Sequence, residues 1–232
     1  MLIKVNVDEL RRRIDSGKLS LEASSTTIEE GELKCSSGVT VEYTVTQGWN
    51  ILSSKECDEC WTQSNMELFE HIQGQNYTDE ELQAVLNSLQ KEDHHWDWFT
   101  KSCKFTGEEY RWFYLYANNK PQGACVIFQP KDSALDGSNI FYVEFLAVAP
   151  WNRDCDVRKR EIFGVGSALL KATLKFSVES LKLTPGFSLH SLPQATKYYE
   201  KLNMVNIKGL DKSTLVYFEL PKIEANKLLE VS

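Results

Sequence analysis

The sequence predicts an α/β fold of about seven strands flanked by helices, and three observations carry that expectation. A near-continuous apolar run at 140–148, broken only by Glu144, has the length and composition of a strand buried on both faces. A Gly-x-Gly at 164–166 then opens a segment in which Val165, Leu169, Ala172 and Phe176 recur at helical spacing. Ahead of both, Val39–Trp49 alternates as a strand does, and Tyr110–Tyr116 and Ala124–Gln129 flank a polar turn as the arms of a hairpin.

Taken in order, residues 1–35 are mixed and polar and read as an N-terminal extension. A short helix is expected at Val7–Ser16, with nothing well defined from there to Cys35. After the strand Val39–Trp49, the segments Cys57–Gln73 and Tyr77–Gln90 read as helices. Thr78 with Glu81 three residues later is a capping box for the second. The aromatic-rich His94–Lys101 suggests a further helical turn, and Asn118-Asn119-Lys120 signals a hairpin between the next two strands. Strand 140–148, helix 165–182, strand 187–190, helix 194–202 and strands near 204–208 and 213–220 follow. Residues 36–222 form the expected main domain and 223–232 a C-terminal tail.

At 232 residues, such a chain buries roughly 70–75% of its unfolded surface, enough for a core without covalent staples. The start lacks an uninterrupted apolar stretch and no window approaches the length of a membrane span, so a cytoplasmic protein with no membrane partner is expected. Six scattered cysteines then read as free thiols. Cys57-Asp-Glu-Cys60 has half the spacing of a zinc site, but its second half is missing, and no metal is expected. The net charge is −7, and residues 58–97 alone carry −9. That balance disfavours nucleic acid and suits a cationic partner, unless the carboxylates are simply solvated helix faces.

The helix start at 164–168 points to chemistry. Unobstructed backbone N–H groups and the positive dipole end make a seat for a phosphate-bearing cofactor. Neither common version fits, because a third Gly is absent and no Gly-Lys-Ser/Thr follows.

Leu146-Ala-Val-Ala-Pro150 followed by Gly164-Val-Gly-Ser-Ala-Leu-Leu170 resembles the cofactor-binding motif of the GNAT acyltransferase superfamily. Leu189–Met204, with Ala195 four residues before Tyr199, resembles its second motif. The resemblance covers roughly 39–220, with Glu161 where the family usually has Gln or Arg, Asn203 where Gly is usual, and a longer Pro150–Gly164 loop. It implies a mixed, mostly antiparallel central sheet and an N-acetyltransferase that moves an acetyl group from acetyl-CoA directly to a primary amine. The pantetheine arm would pair with strand 144–148, through Leu146, Ala147 and Val148, and a backbone N–H around Val148 would polarise the thioester. The pyrophosphate would sit on the N–H groups of Gly164, Val165, Gly166, Ser167 and Ala168, with Arg160 near the phosphates. Arg153, Arg158 and Lys159 belong to the same loop, where Asp154, Asp156 and Glu161 offset them.

Tyr199 matches the family's Tyr beside the CoA sulfur, suited to protonating the leaving thiolate; the alternative is a core aromatic. Tyr198 is expected in the core. Glu144 matches a Glu that deprotonates the amine through water, or is a structural carboxylate. His190 competes as the base. Trp96, Trp98 and Phe99, with His94 and His95, either line an acceptor pocket or pack the core. The acceptor is a small-molecule or peptide amine, with a polyamine, an amino sugar or a Lys side chain favoured by the acidic region, and a homodimer is left open. Two rivals stand beside this reading: a CoA-binding sensor without catalysis, and an acidic protein-interaction module.

Overall fold

A computed structural model describes residues 6–19, 25–90 and 92–230. One sheet organises them, in the order β1-β2-β3-β4-β5-β6-β8-β7. Its strands are β1 (Thr26–Lys34), β2 (Thr40–Gln47), β3 (Tyr110–Ala117), β4 (Lys120–Asp132), β5 (Asn139–Val148), β6 (Phe187–Ser191), β7 (Val205–Asn206) and β8 (Val216–Leu220). Every neighbouring pair is antiparallel except β5 and β6, so the sheet is mixed and mostly antiparallel, as the family resemblance implies. It has eight strands rather than about seven.

The additional strand is β1, in the stretch where the sequence shows no defined element. Its period-2 pattern is hidden, because the register with β2 slips between Thr27 and Glu29 and Gly31 interrupts the alternation. Gly31 lies under the Tyr43 ring, where an added Cβ would stand 2.9 Å from the ring and its hydroxyl. The start of the extension, residues 1–5, and the segment 20–24 lie outside the described residues.

Helices cover both faces. On one, α2 (Ile51–Gln73) and α4 (Trp98–Lys104) bury Cys57, Trp61 and Trp98 against Trp112, Tyr114, Val126 and Ala147 of the sheet. Helix α3 (Asp79–Ser88) opens with the expected capping box. Helix α1 (Val7–Asp15) is tied to this side by Arg11, which forks onto Asp97 at 2.9 and 3.0 Å. On the other face, α5 (Val165–Glu179) seats Val165, Leu169, Leu170 and Ala172 on Phe113, Cys125 and Phe141. Helix α6 (Thr196–Lys201) adds Tyr199 to that core. Helix α7 (Lys222–Glu230) occupies the segment that the sequence suggests is a tail, and Ala225 is fully buried in it; residues 231–232 are outside the description. Asn203, where Gly is usual in the family, adopts the left-handed conformation (φ 57°) that Asn tolerates better than most residues.

Candidate functional site

The site begins where two parallel strands part. β5 and β6 pair only across Phe141–Val143 and Phe187–Leu189, although β5 runs on to Val148. The register between β4 and β5 passes from Val126↔Phe145 to Ile127↔Val143, leaving Glu144 as an extra, bulged residue at the point of separation. Beyond it, the N–H of Ala149 donates to the carbonyl of Gln122 at 2.8 Å, so alternation turns the N–H and C=O groups of Leu146 and Val148 the other way, into the gap. The Val148 carbonyl accepts there from Arg153, at 3.0 Å from Nε and 2.7 Å from a terminal nitrogen.

The second wall is the N-terminus of α5. Gly164 precedes it in the left-handed conformation (φ 80°), and no side chain caps the helix. Backbone bonds Phe163 N–H to Lys34 C=O and Ser36 N–H to Glu161 C=O moor the preceding loop to the end of β1. Among the described residues, the N–H groups of Gly164, Val165, Gly166 and Ser167 meet no protein acceptor. Ala168 departs from the sequence expectation: its N–H donates to the Gly164 carbonyl at 2.9 Å, the first helical bond, and so is not available to a ligand.

A cavity of about 330 Å³ joins these walls and is lined by Leu146, Ala147, Val148, Arg160, Gly164, Val165, Gly166 and Ser167, all expected from the sequence. A second cavity of about 390 Å³ continues it on the β6 side and holds Glu144, His190 and Trp96. Tyr199, Leu146, Leu192 and Ala195 line both, so they form the junction. The only sealed side-chain polar atoms without a partner among the described residues are Arg11 Nε, Arg158 Nε and Ser188 Oγ. Among the described residues Tyr199's hydroxyl has no hydrogen-bond partner, and the residue lines both cavities. Burial holds that phenol protonated, well above its usual range. Tyr198 is not simply core, as expected, but lines the α5-side cavity with its hydroxyl 3.0 Å from Ser167 Oγ.

Glu144 is half-buried and desolvation raises its carboxyl, opposed by the positive charges of Lys212 and Lys101. His190 is committed on both ring nitrogens. Nε2 lies 2.9 Å from the Leu210 carbonyl, which only an N–H can satisfy, so Nδ1 accepts from Tyr142's hydroxyl at 2.6 Å. To act as a base His190 would have to give up a bond, whereas Glu144 makes none among the described residues.

The loop cations divide. Arg153 and Arg160 line the α5-side cavity, each on an aspartate: Arg153 on Asp93 at 2.6 and 2.7 Å, Arg160 on Asp154 at 2.6 Å from Nε. Arg158 turns instead to Ser64 and the Pro150 carbonyl. The acidic region divides too. Asp58 accepts from the N–H groups of Trp98 and Phe99 and is raised to about 6 mainly by burial; Asp97 caps α4, and Glu81 caps α3. Of its ten carboxylates, Glu92 reaches the β6-side cavity and Asp93 the other. Trp96 and His95 line the β6-side cavity, whereas Trp98 and Phe99 are core. Cys125 is sealed in the core, where burial pushes its thiol up to about 12. No helix among the described residues is long and apolar enough to cross a membrane.

No family model and no curated protein matches the chain. Among solved structures it is similar to the GNAT domain of S. lividans PAT, at 11% identity over 82% of this chain and 95% of that one, with a TM-score of 0.46. It is also similar to the ribosomal-protein-S18-alanine N-acetyltransferase of Escherichia coli (21% identity, 63% and 91% covered, TM-score 0.38). The Campylobacter jejuni N-acetyltransferase PseH is a third (15% identity, 62% and 92% covered, TM-score 0.37).

Proposed function

We propose that the chain is a GNAT-type acyltransferase that takes an acyl group, acetyl in the simplest case, from acyl-CoA to a primary amine. The observation that carries this reading is a pair of adjoining cavities, sharing Leu146, Leu192, Ala195 and Tyr199 in their linings, with a different chemistry at each far end. At the α5 end, four unclaimed N–H groups and the helix dipole suit a pyrophosphate. Between the parted strands, the exposed edge at Leu146 and Val148 suits the amide-bearing pantetheine arm, added as a short strand would be. At the β6 end stands a half-buried carboxylate.

In this arrangement the thioester lies at the junction beside Tyr199. Glu144 takes a proton from the acceptor ammonium. The freed nitrogen lone pair forms the C–N bond, and the Val148 N–H stabilises the oxygen that gains charge. As the tetrahedral centre collapses, the nitrogen gives up its second proton to solvent, the C–S bond breaks, and the sulfur leaves with its electron pair. Tyr199 meets it with a hydrogen bond and a proton, which solvent restores. The phenol stays protonated throughout neutral pH, so it is always a donor. The sealed Cys125 has no part in this direct transfer.

The test is release of CoA thiol from acetyl-CoA in the presence of primary amines. Tyr199→Phe is expected to lower kcat by about 10- to 100-fold while acetyl-CoA affinity and thermal stability hold. The hydroxyl has no partner among the described residues to lose, so an equal fall in stability would contradict its assignment. Unchanged kcat would place Tyr199 in the core alone.

A further inference from the structure

The β6-side cavity carries both signs of charge in its lining. Glu144 and Glu92 supply carboxylates and Lys212 an ammonium. Among the described residues, none of the three makes an ion pair.

Their relative placement is built in by backbone and ring bonds. Glu144 follows Tyr142 by two residues on β5, and Lys212 follows Leu210 by two residues on the turn before β8. Tyr142 and Leu210 are the two ends of one hydrogen-bonded chain, hydroxyl to His190 Nδ1 and Nε2–H to carbonyl. Reciprocal bonds between Lys212 and Leu215, at 3.0 and 2.8 Å, fix the backbone beneath the ammonium. Trp96 and Phe145, 5.2 Å apart edge to face, form an apolar wall in the same cavity.

We infer that this cavity takes a free amino acid, its α-amine set towards Glu144 and its carboxylate towards Lys212, with the Trp96–Phe145 wall beside its side chain. The inference rests on the acyltransferase reading above and names its acceptor. An amine and a carboxylate on adjacent carbons need two opposite protein charges close together. Lys212 meets that need, because it lines the same cavity as Glu144 and its backbone is fixed on the turn that the His190 chain ties to β5. A polyamine would instead bring like charge to Lys212, with Lys101 adding to the repulsion from behind Phe145, 3.7 Å from its ring.

The experiment measures thiol release from acetyl-CoA with each L-amino acid, its carboxamide, and spermidine, using the full chain. The expected result is at least one amino acid with kcat/KM 10-fold or more above its amide and above spermidine. Lys212→Met is expected to bring the acid-to-amide ratio near one by raising KM for the acid, and Lys212→Glu to invert it. Lys212 is exposed, so both variants are expected to fold. Amides or spermidine used as well as the acids, or a preference that survives Lys212→Met, would overturn the inference and leave the acyltransferase. No thiol release with any amine, from protein that melts cooperatively, would overturn both.

Discussion

On the proposed mechanism, Glu144→Gln is expected to lower kcat/KM for amine acetylation by about 10²- to 10³-fold and to remove the acidic limb of the pH profile, within the usual worth of a positioned general base. That mechanism needs the carboxylate, so the wild-type rate is expected to rise as pH climbs through the Glu144 pKa, which burial holds above the ordinary 4.5. The Gln variant has nothing to titrate there and its residual rate is flat across that range. Stability moves in the opposite direction. A carboxyl whose folded pKa is raised contributes stability that is complete below its unfolded pKa and lost as pH rises through the folded value. At neutral pH the neutral isostere is therefore at least as stable as wild type. Kinetics and melting measured together separate this from a structural carboxylate, whose loss would lower stability and leave the limb in place.

Arg153→Ala costs about 3–5 kcal/mol of stability, the range for removing one partner of a buried ion pair. The Asp93 side chain is only 7% exposed, and both its oxygens are held by Arg153. The substitution strands that carboxylate and leaves the Val148 carbonyl without its donor. For a chain of this length the melting temperature falls by on the order of 10 °C. Adding Asp93→Asn recovers much of the loss, because the stranded charge goes with it, so the pair of changes costs less than the sum. Denaturant melts of both singles and the double check this. A loss under about 1 kcal/mol for Arg153→Ala would show that the pair is solvated. The pair also matters to the site, since it clamps the Pro150–Gly164 loop at the mouth of the cleft. The loop's other anchor is a buried knot in which Gln122 Oε1 accepts from Trp151 Nε1 and Asn152 Nδ2, at 2.7 and 2.8 Å.

What the sequence makes legible is whatever depends on neighbours along the chain. The apolar run of β5, the helical spacing of α5 and the Thr78–Glu81 box each stand in the structure where the residues put them. Glu144 is visible as a lone charge in an apolar strand, but its cause, a bulge where β5 leaves β6, exists only in the pairing register. The double engagement of His190 depends on Tyr142 and Leu210, from two distant segments. Arg153 looks like one of four loop cations until Asp93, sixty residues earlier, is brought against it. The acidic run misleads for the same reason. Asp58, Asp97 and Glu81 are occupied at helix starts, which a count of charges does not register. Tyr198 is misplaced because the α6 helix is one and a half turns long, too short for its periodicity to assign faces.

Whether the cleft between β5 and α5 holds an acyl-CoA, as proposed, is decided by calorimetric titration of acetyl-CoA into wild type and Gly166→Glu. A Cβ at Gly166 would lie 3.4 Å from Val148 Cγ1, an ordinary contact, so the fold survives while a carboxylate enters the phosphate seat. Gly166→Ala serves as the control for the added Cβ. Affinity on the order of micromolar is expected for wild type, modestly weaker binding for Gly166→Ala, and at least about 100-fold weaker binding for Gly166→Glu, or about 2.7 kcal/mol. No heat of binding with wild type, or equal affinity in Gly166→Glu, would contradict it.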